Sequence, residues 1–184
     1  MSFANTRQAY GVISIGLHWL IALLVIGLFL LGLYMTSLDY YDPWYQAAPD
    51  MHRSLGIVMV AFLLFRLLWR LISPLPEPVG NDPRILRRAA ELVHWGLYLL
   101  LFGIAISGYL ITTADGRGIE VFGWFTLPAL LPAIDNMEDV AGEIHWVLAV
   151  VMLTLVGVHS LAALTHHFLY RDPPLIRRLC SPRL

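Results

Sequence analysis

VAGEIHWVLAVVMLTLVGVHSLAALTHHFLY, residues 140–170, decides how this chain folds. The stretch is apolar for longer than a bilayer is thick, since a spanning helix needs about 20 predominantly apolar residues. It nevertheless carries His145 and His159 in its interior. An ionisable side chain inside a span is costly and counts as a functional candidate by default. The two histidines are fourteen residues apart. On one helix that spacing leaves them about 40° from eclipsed and about 21 Å apart along the axis. One face therefore presents two ligands, one towards each leaflet.

Outward from this helix the rest of the chain has the same character. Of 184 residues, 58% are hydrophobic and only 14% charged, and the mean hydropathy is +0.68. A soluble domain has about a quarter of its residues charged. The pattern predicts an all-α integral membrane four-helix bundle with helices over about 15–36, 51–72, 88–113 and 140–170. Together they form a single membrane domain across residues 1–184, with no room for a separate soluble one. The first stretch, Val12 to Met35, is longer than a signal-peptide core and lacks a small-residue cleavage pattern, so it reads as a retained span. Ser73-Pro74-Leu75-Pro76-Glu77-Pro78, Asp115-Gly116 and Asp172-Pro173-Pro174 supply the breaks. The connection from Ala114 to Asp139 contains Val121-Phe122-Gly123-Trp124-Phe125, expected to lie at headgroup depth.

All twelve basic residues are arginine. Arg7, Arg70, Arg84, Arg87, Arg88 and the tail residues Arg171, Arg177, Arg178 and Arg183 fall on one side of the spans. The opposite connections hold Asp39, Asp42, Asp50, Asp115, Glu120, Asp135, Glu138 and Asp139, with Arg53 and Arg117 their only cations. The positive-inside bias then puts both termini in the cytoplasm. A net charge of −1 gives no sign of a nucleic-acid partner. The single Cys180 excludes a disulfide framework and a Cys-x-x-Cys-His haem attachment, so any haem is held non-covalently.

His18, His52, His94, His145, His159 and His166 all lie within or close to the apolar spans. Zinc wants three or four clustered ligands, and a di-iron bundle wants repeated Glu-x-x-His pairs projecting inward. Glu91-Leu92-Val93-His94 has that spacing once only, near a helix end. Imidazole pairs at two depths, without carboxylate or thiolate beside them, fit two b-type haems in the bundle core. With two imidazoles each iron is six-coordinate, which points to electron transfer rather than oxygen binding. His52 enters on the side of His145, with Gly56 one turn on, and Gly142 and Ala149 flank His145. Level with His159 stand both His18 and His94, and spacing prefers neither strongly. Arg66, fourteen residues past His52, is a candidate for a haem propionate or a quinone, or it snorkels to the headgroups. Arg53 is similarly placed for propionates on the other side. His166, seven residues past His159, is a candidate quinone contact or a solvated helix-end histidine. Met59 and Met152 read as packing. A membrane transporter using the histidines as a proton relay is the reading without haem.

The residues carry a resemblance. His18-Trp19-Leu20, His52-Arg53-Ser54-Leu55-Gly56, Arg66-Leu67-Leu68-Trp69-Arg70, Ser107-Gly108-Tyr109-Leu110, Phe122-Gly123, Leu127-Pro128, Glu143-Ile144-His145, and His159 through His166-His167-Phe168 to Arg171-Asp172 resemble the bacterial cytochrome b561 family. The resemblance covers nearly the whole chain. It implies one haem between His18 and His159 and another between His52 and His145, which leaves His94 without an iron. It also implies a bacterial inner-membrane protein that passes electrons from a periplasmic-side donor to ubiquinone in the quinone pool. One branch acts as a superoxide oxidase, and His166 is where the resemblance places a quinone contact. The alternative within electron transfer is a cytochrome b subunit of a larger respiratory complex with no substrate chemistry of its own. The eight acids on the donor side bear on superoxide, because an anion favours a positive entrance. Either Arg53 and Arg117 form a local basic funnel, or the donor is another species such as a cationic redox protein.

Overall fold

Runs of leucine, valine and isoleucine with few charges can cross a bilayer only by satisfying their own backbone hydrogen bonds, and a helix does so. In the computed structural model, which describes residues 2–77 and 83–168 with side chains of the last helix to Thr165, four helices result. They are α1 (Val12–Thr36), α2 (Ala47–Ile72), α3 (Arg84–Thr112) and α4 (Met137–Phe168). The shortest has 25 residues. At 1.5 Å per residue that is about 38 Å, enough to cross a hydrocarbon core of about 30 Å with some tilt. Large apolar side chains such as Leu23, Leu92, Leu99 and Val147 point outward and are exposed, as in a chain whose solvent is lipid.

All four helices begin earlier than the sequence expectation, α2 and α3 by the most. Helix α2 begins at Ala47, because Ala48 is fully buried and its amide donates to Trp44 O at 2.9 Å, starting the helix before His52. Helix α3 begins at Arg84, directly after Pro83, whose carbonyl accepts from Leu86 and Arg87. Proline just before the first turn is compatible with a helix start, so Arg84, Arg87 and Arg88 are helical rather than loop.

The chain divides into two compact units, and all four helices contribute to both. The first unit comprises Met1–Ala22, Phe62–Tyr98 and Leu153–Leu184. Its buried apolar residues include Leu17, Ile21, Leu63 and Tyr98. The N-terminal segment is fastened here by Asn5, whose Oδ1 accepts from the Gly11 amide (2.9 Å) and the Ser14 hydroxyl (2.7 Å). Ser14 in turn accepts from the Trp69 indole at 3.1 Å, tying α1 to α2. Gly11 is required by close approach, since a Cβ there would lie 2.4 Å from the Phe3 carbonyl oxygen.

The second unit comprises Leu23–Ala61 and Leu99–Met152. The long connection between α3 and α4, expected at the interface, forms an antiparallel hairpin of β1 (Ile119–Val121) and β2 (Phe125–Leu127), with Ile119 opposite Leu127. Its turn takes positive φ at Phe122 (50°) and Gly123 (71°), the two successive left-handed residues of a type I′ connection. The Phe122 amide donates to the buried Ser54 hydroxyl of α2 at 3.1 Å. Ile119 and Val121 are buried, whereas Trp124 is 81% exposed. The Tyr109 hydroxyl donates to Pro128 O (2.9 Å) and accepts from the Leu130 amide (2.7 Å), fixing the chain beyond the hairpin.

Candidate functional site

In the second unit, α4 carries His145 towards α3. Nδ1 of His145 lies 3.0 Å from the Ile104 carbonyl oxygen. A carbonyl only accepts, so Nδ1 carries the proton and donates it, and Nε2 keeps a free lone pair. Metal-ligating histidines almost always show this arrangement. The Ser107 hydroxyl also lies 3.1 Å from Nδ1 and itself donates to Ile104 O at 3.0 Å. Gly108 lets α3 approach this ring, since a Cβ there would stand 3.1 Å from His145 Cε1.

His52 of α2 meets a matching glycine on α1. A Cβ at Gly32 would lie 3.4 Å from His52 Cε1. The Nδ1 of His52 is buried and has no hydrogen-bond partner among the described residues; the Leu28 carbonyl faces the ring without completing a bond of ordinary geometry. The ring centres of His52 and His145 are 6.3 Å apart, with planes inclined at 68°.

In the first unit, His94 of α3 packs edge-on against His159 of α4, with ring centres 5.3 Å apart. His18 of α1 has a different neighbour: Nη2 of Arg66 lies 3.3 Å from its Nδ1. A guanidinium only donates, so this Nδ1 accepts and the neutral ring is protonated at Nε2, the reverse of His145. Arg66 also donates through Nε to the Tyr98 hydroxyl at 3.1 Å. One turn on, the Arg70 guanidinium lies over Trp95 and Tyr98, 5.3 and 5.8 Å from their ring centres. Among the described residues neither Arg66 nor Arg70 has a carboxylate partner.

The sequence-predicted residues thus divide. His52 and His145 come together. His159 comes to His94, and His18 to Arg66. Arg53 is ion-paired with Asp50 three residues earlier on α2, and Arg117 with Asp115, so a neighbouring carboxylate offsets the charge of each arginine. The exposed Arg117–Asp115 hydrogen bonds hold the Asp115 carboxyl below its usual range. Met59 and Met152 are buried packing residues. The side chain of His166 lies outside the described residues. Ile104, Gly32 and Tyr98 were not singled out by the sequence reading, and Ser107 entered it only within the Ser107-Gly108-Tyr109-Leu110 segment of the resemblance. Of these only Tyr98, a polar side chain one turn after His94 in an apolar run, left a legible signal.

Do these residues fit a haem? Two imidazoles bound on opposite sides of one metal, each at about 2 Å, would have ring centres about 6 Å apart. The His52–His145 separation of 6.3 Å meets that requirement, and His145 already offers Nε2. Gly56, one turn beyond His52, and Gly142, one turn before His145, are half-buried, and a Cβ at either would meet no atom within 4 Å. That is the clearance a flat macrocycle needs beside its ligands. Among the described residues no three His, Cys, Asp or Glu side chains converge, so the donor set suits a metal whose remaining bonds come from a macrocycle. In the first unit, the 5.3 Å His94–His159 contact is direct ring packing, shorter than a metal-bridged pair. For His18 to ligate through Nε2, its Arg66 hydrogen bond must break and Nδ1 must take the proton.

Comparison with known proteins gives the family. The family model of prokaryotic cytochrome b561 matches residues 9–181. The chain is 50% identical to cytochrome b561 homolog 2 of Escherichia coli K12 over 97% of its own length and 95% of the relative's. It is 32% identical to the probable superoxide oxidase CybB of Yersinia pestis, covering 96% of this chain and 99% of that one. Cytochrome b561 homolog 1 of E. coli K12 is 24% identical over 73% of this chain and 76% of its own. With half its residues shared along almost the full length of such a relative, the chain belongs to the prokaryotic cytochrome b561 family, the membrane b-type cytochromes of electron transfer.

Proposed function

We propose that this protein carries two non-covalent b-type haems and passes electrons from a donor on the side of its acidic loops to ubiquinone in the bacterial inner membrane. The observation that carries the reading is the His52–His145 pair, 6.3 Å apart, with His145 Nδ1 committed to the Ile104 carbonyl. His18 and His159 would hold the second haem, and His94 packs against His159. Iron held by two imidazoles exchanges single electrons and leaves no open coordination position. Both termini are cytoplasmic, on the side of the arginine-rich connections.

The protein's own residues supply the rest. Arg66 is a half-buried cation whose described partners, Tyr98 and His18, are neutral. An anionic propionate or a quinone oxygen would take up its remaining donors. His166, two turns beyond His159 on α4, is the quinone contact and holds the proton that accompanies reduction. Arg53 would meet the donor-side propionates with the guanidinium donors that Asp50 leaves open. The name of the Yersinia relative makes superoxide the first donor to test. The pairing of Arg53 and Arg117 with aspartates favours a cationic redox protein instead, because each neighbouring carboxylate offsets the positive charge that would attract an anion.

The test is rapid-mixing reduction of ubiquinone by the purified protein, with superoxide in one arm and a reduced cationic redox protein in the other. Quinone reduction in either arm is expected, slowed in His166→Ala at unchanged haem spectrum. A protein whose haem is reduced by donor, yet whose ubiquinone stays oxidised in both arms, would contradict the proposal.

A further inference from the structure

The two rings of the second unit are held unequally. His52 Nδ1 is buried without a partner, whereas His145 Nδ1 faces two acceptors at once, Ile104 O at 3.0 Å and Ser107 Oγ at 3.1 Å. Ser107 is buried, and its own proton goes to Ile104 O at 3.0 Å, which turns a lone pair of the hydroxyl towards the ring. Ile104, Ser107 and Gly108 all come from α3, and the Gly108 backbone seats the ring against that helix. The imidazole is therefore fixed in one tautomer and one orientation before any metal arrives.

We infer that Ser107 is a positioning residue that sets the electron affinity of the iron bound by His145, by sharing the Nδ1 proton with Ile104 O. The inference rests on the reading that His52 and His145 hold a haem. An acceptor on Nδ1–H draws the proton away from the ring and makes Nε2 a more basic ligand. A more basic ligand favours ferric over ferrous iron, so each acceptor lowers the reduction potential. Removing the Ser107 oxygen removes one of two acceptors. It also frees Ile104 O from the Ser107 proton, which offsets part of the loss. The ferrous form at this site should therefore gain about two- to tenfold in Ser107→Ala, at most 59 mV for one electron. Among the described residues no hydroxyl is bonded to His52 Nδ1, so the effect belongs to one ring and one haem.

The experiment is an equilibrium redox titration of the purified haem-loaded protein, following both haems by their visible bands. Ser107→Ala should raise the potential of one haem by two- to tenfold in its equilibrium and leave the other in place. Ser107→Thr, which keeps the hydroxyl, should restore the wild-type value. Ser107→Cys keeps the volume with a weaker acceptor and should fall between, which preserves the test if the alanine variant does not fold. Unmoved potentials in the alanine or cysteine variant, or an equal shift of both haems, would overturn the inference. Absence of haem from the His52–His145 site in the wild-type protein would instead sink the reading beneath it, and haem counting separates the two failures.

Discussion

Gly108→Ala tests whether the His145 ring is seated as the geometry requires. The added Cβ would stand 3.1 Å from Cε1 and 3.3 Å from Nδ1 of His145. Carbon contacts are most favourable at about 3.5–4.0 Å, so ring or helix must give by roughly half an ångström. Gly108 and Ile104 are one turn apart on α3, so the methyl pushes the ring off the same helix that supplies its acceptor. Overpacking of this kind costs about 1–3 kcal/mol. Taking about 2 kcal/mol, haem affinity at this site should fall roughly 30-fold. Alanine is the better helix former by about 1 kcal/mol, so a loss cannot come from a weakened α3. The assay is haem transfer from the detergent-solubilised protein to an excess of a haem-scavenging globin, read by optical spectra. One haem should leave much faster than in wild type, while the other keeps its rate. Gly27→Ala, at an exposed position whose Cβ would meet nothing within 4 Å, is the control and should behave as wild type. Equal transfer from Gly108→Ala and the control would refute the seating argument, and parallel loss of both haems would show a general disturbance instead.

Three further outcomes follow from the same geometry. Gly142→Leu should lower haem content by about one per chain with helical circular dichroism unchanged, since its side chain would occupy the clearance beside His145. Full haem content would mean the macrocycle lies elsewhere. His94→Ala should keep two haems, because its 5.3 Å contact with His159 is ring packing; a loss seen by pyridine haemochrome would make His94 a ligand. Asp115→Asn should leave superoxide-driven reduction unchanged if the donor is cationic, whereas a rate increase that vanishes in high salt would show that the freed Arg117 attracts an anion.

Much of this was legible in the sequence because apolar run length and histidine spacing are local properties. Four spans and the pairing of His52 with His145 follow from where those residues fall on their helices. The starts of α2 and α3 were less legible. A span is read from its apolar part, and Ala47 and Arg84 precede it with polar turns that only backbone hydrogen bonds reveal. The hairpin was hidden by Phe122, a bulky residue at positive φ that turn chemistry reads as strand or interface. The pairing of Arg53 with Asp50 could have been anticipated from its i, i+3 spacing. Counting charges by loop obscured it, since a total says nothing about which charges are neighbours. Ser107 and the Ile104 carbonyl could not be anticipated, because a hydrogen bond to a ring 38 residues away depends on how α3 and α4 face each other.

The proposed function requires two non-covalent b-type haems, one of them between His52 and His145. The most direct measurement is a pyridine haemochrome count with redox titration on the purified wild-type, His52→Ala and His145→Ala proteins. Two haem b per wild-type chain, extractable by acidified solvent, and one per chain in each variant with the same potential retained in both, is the predicted result. A colourless but folded wild-type protein, or variants that each keep two haems, would contradict it.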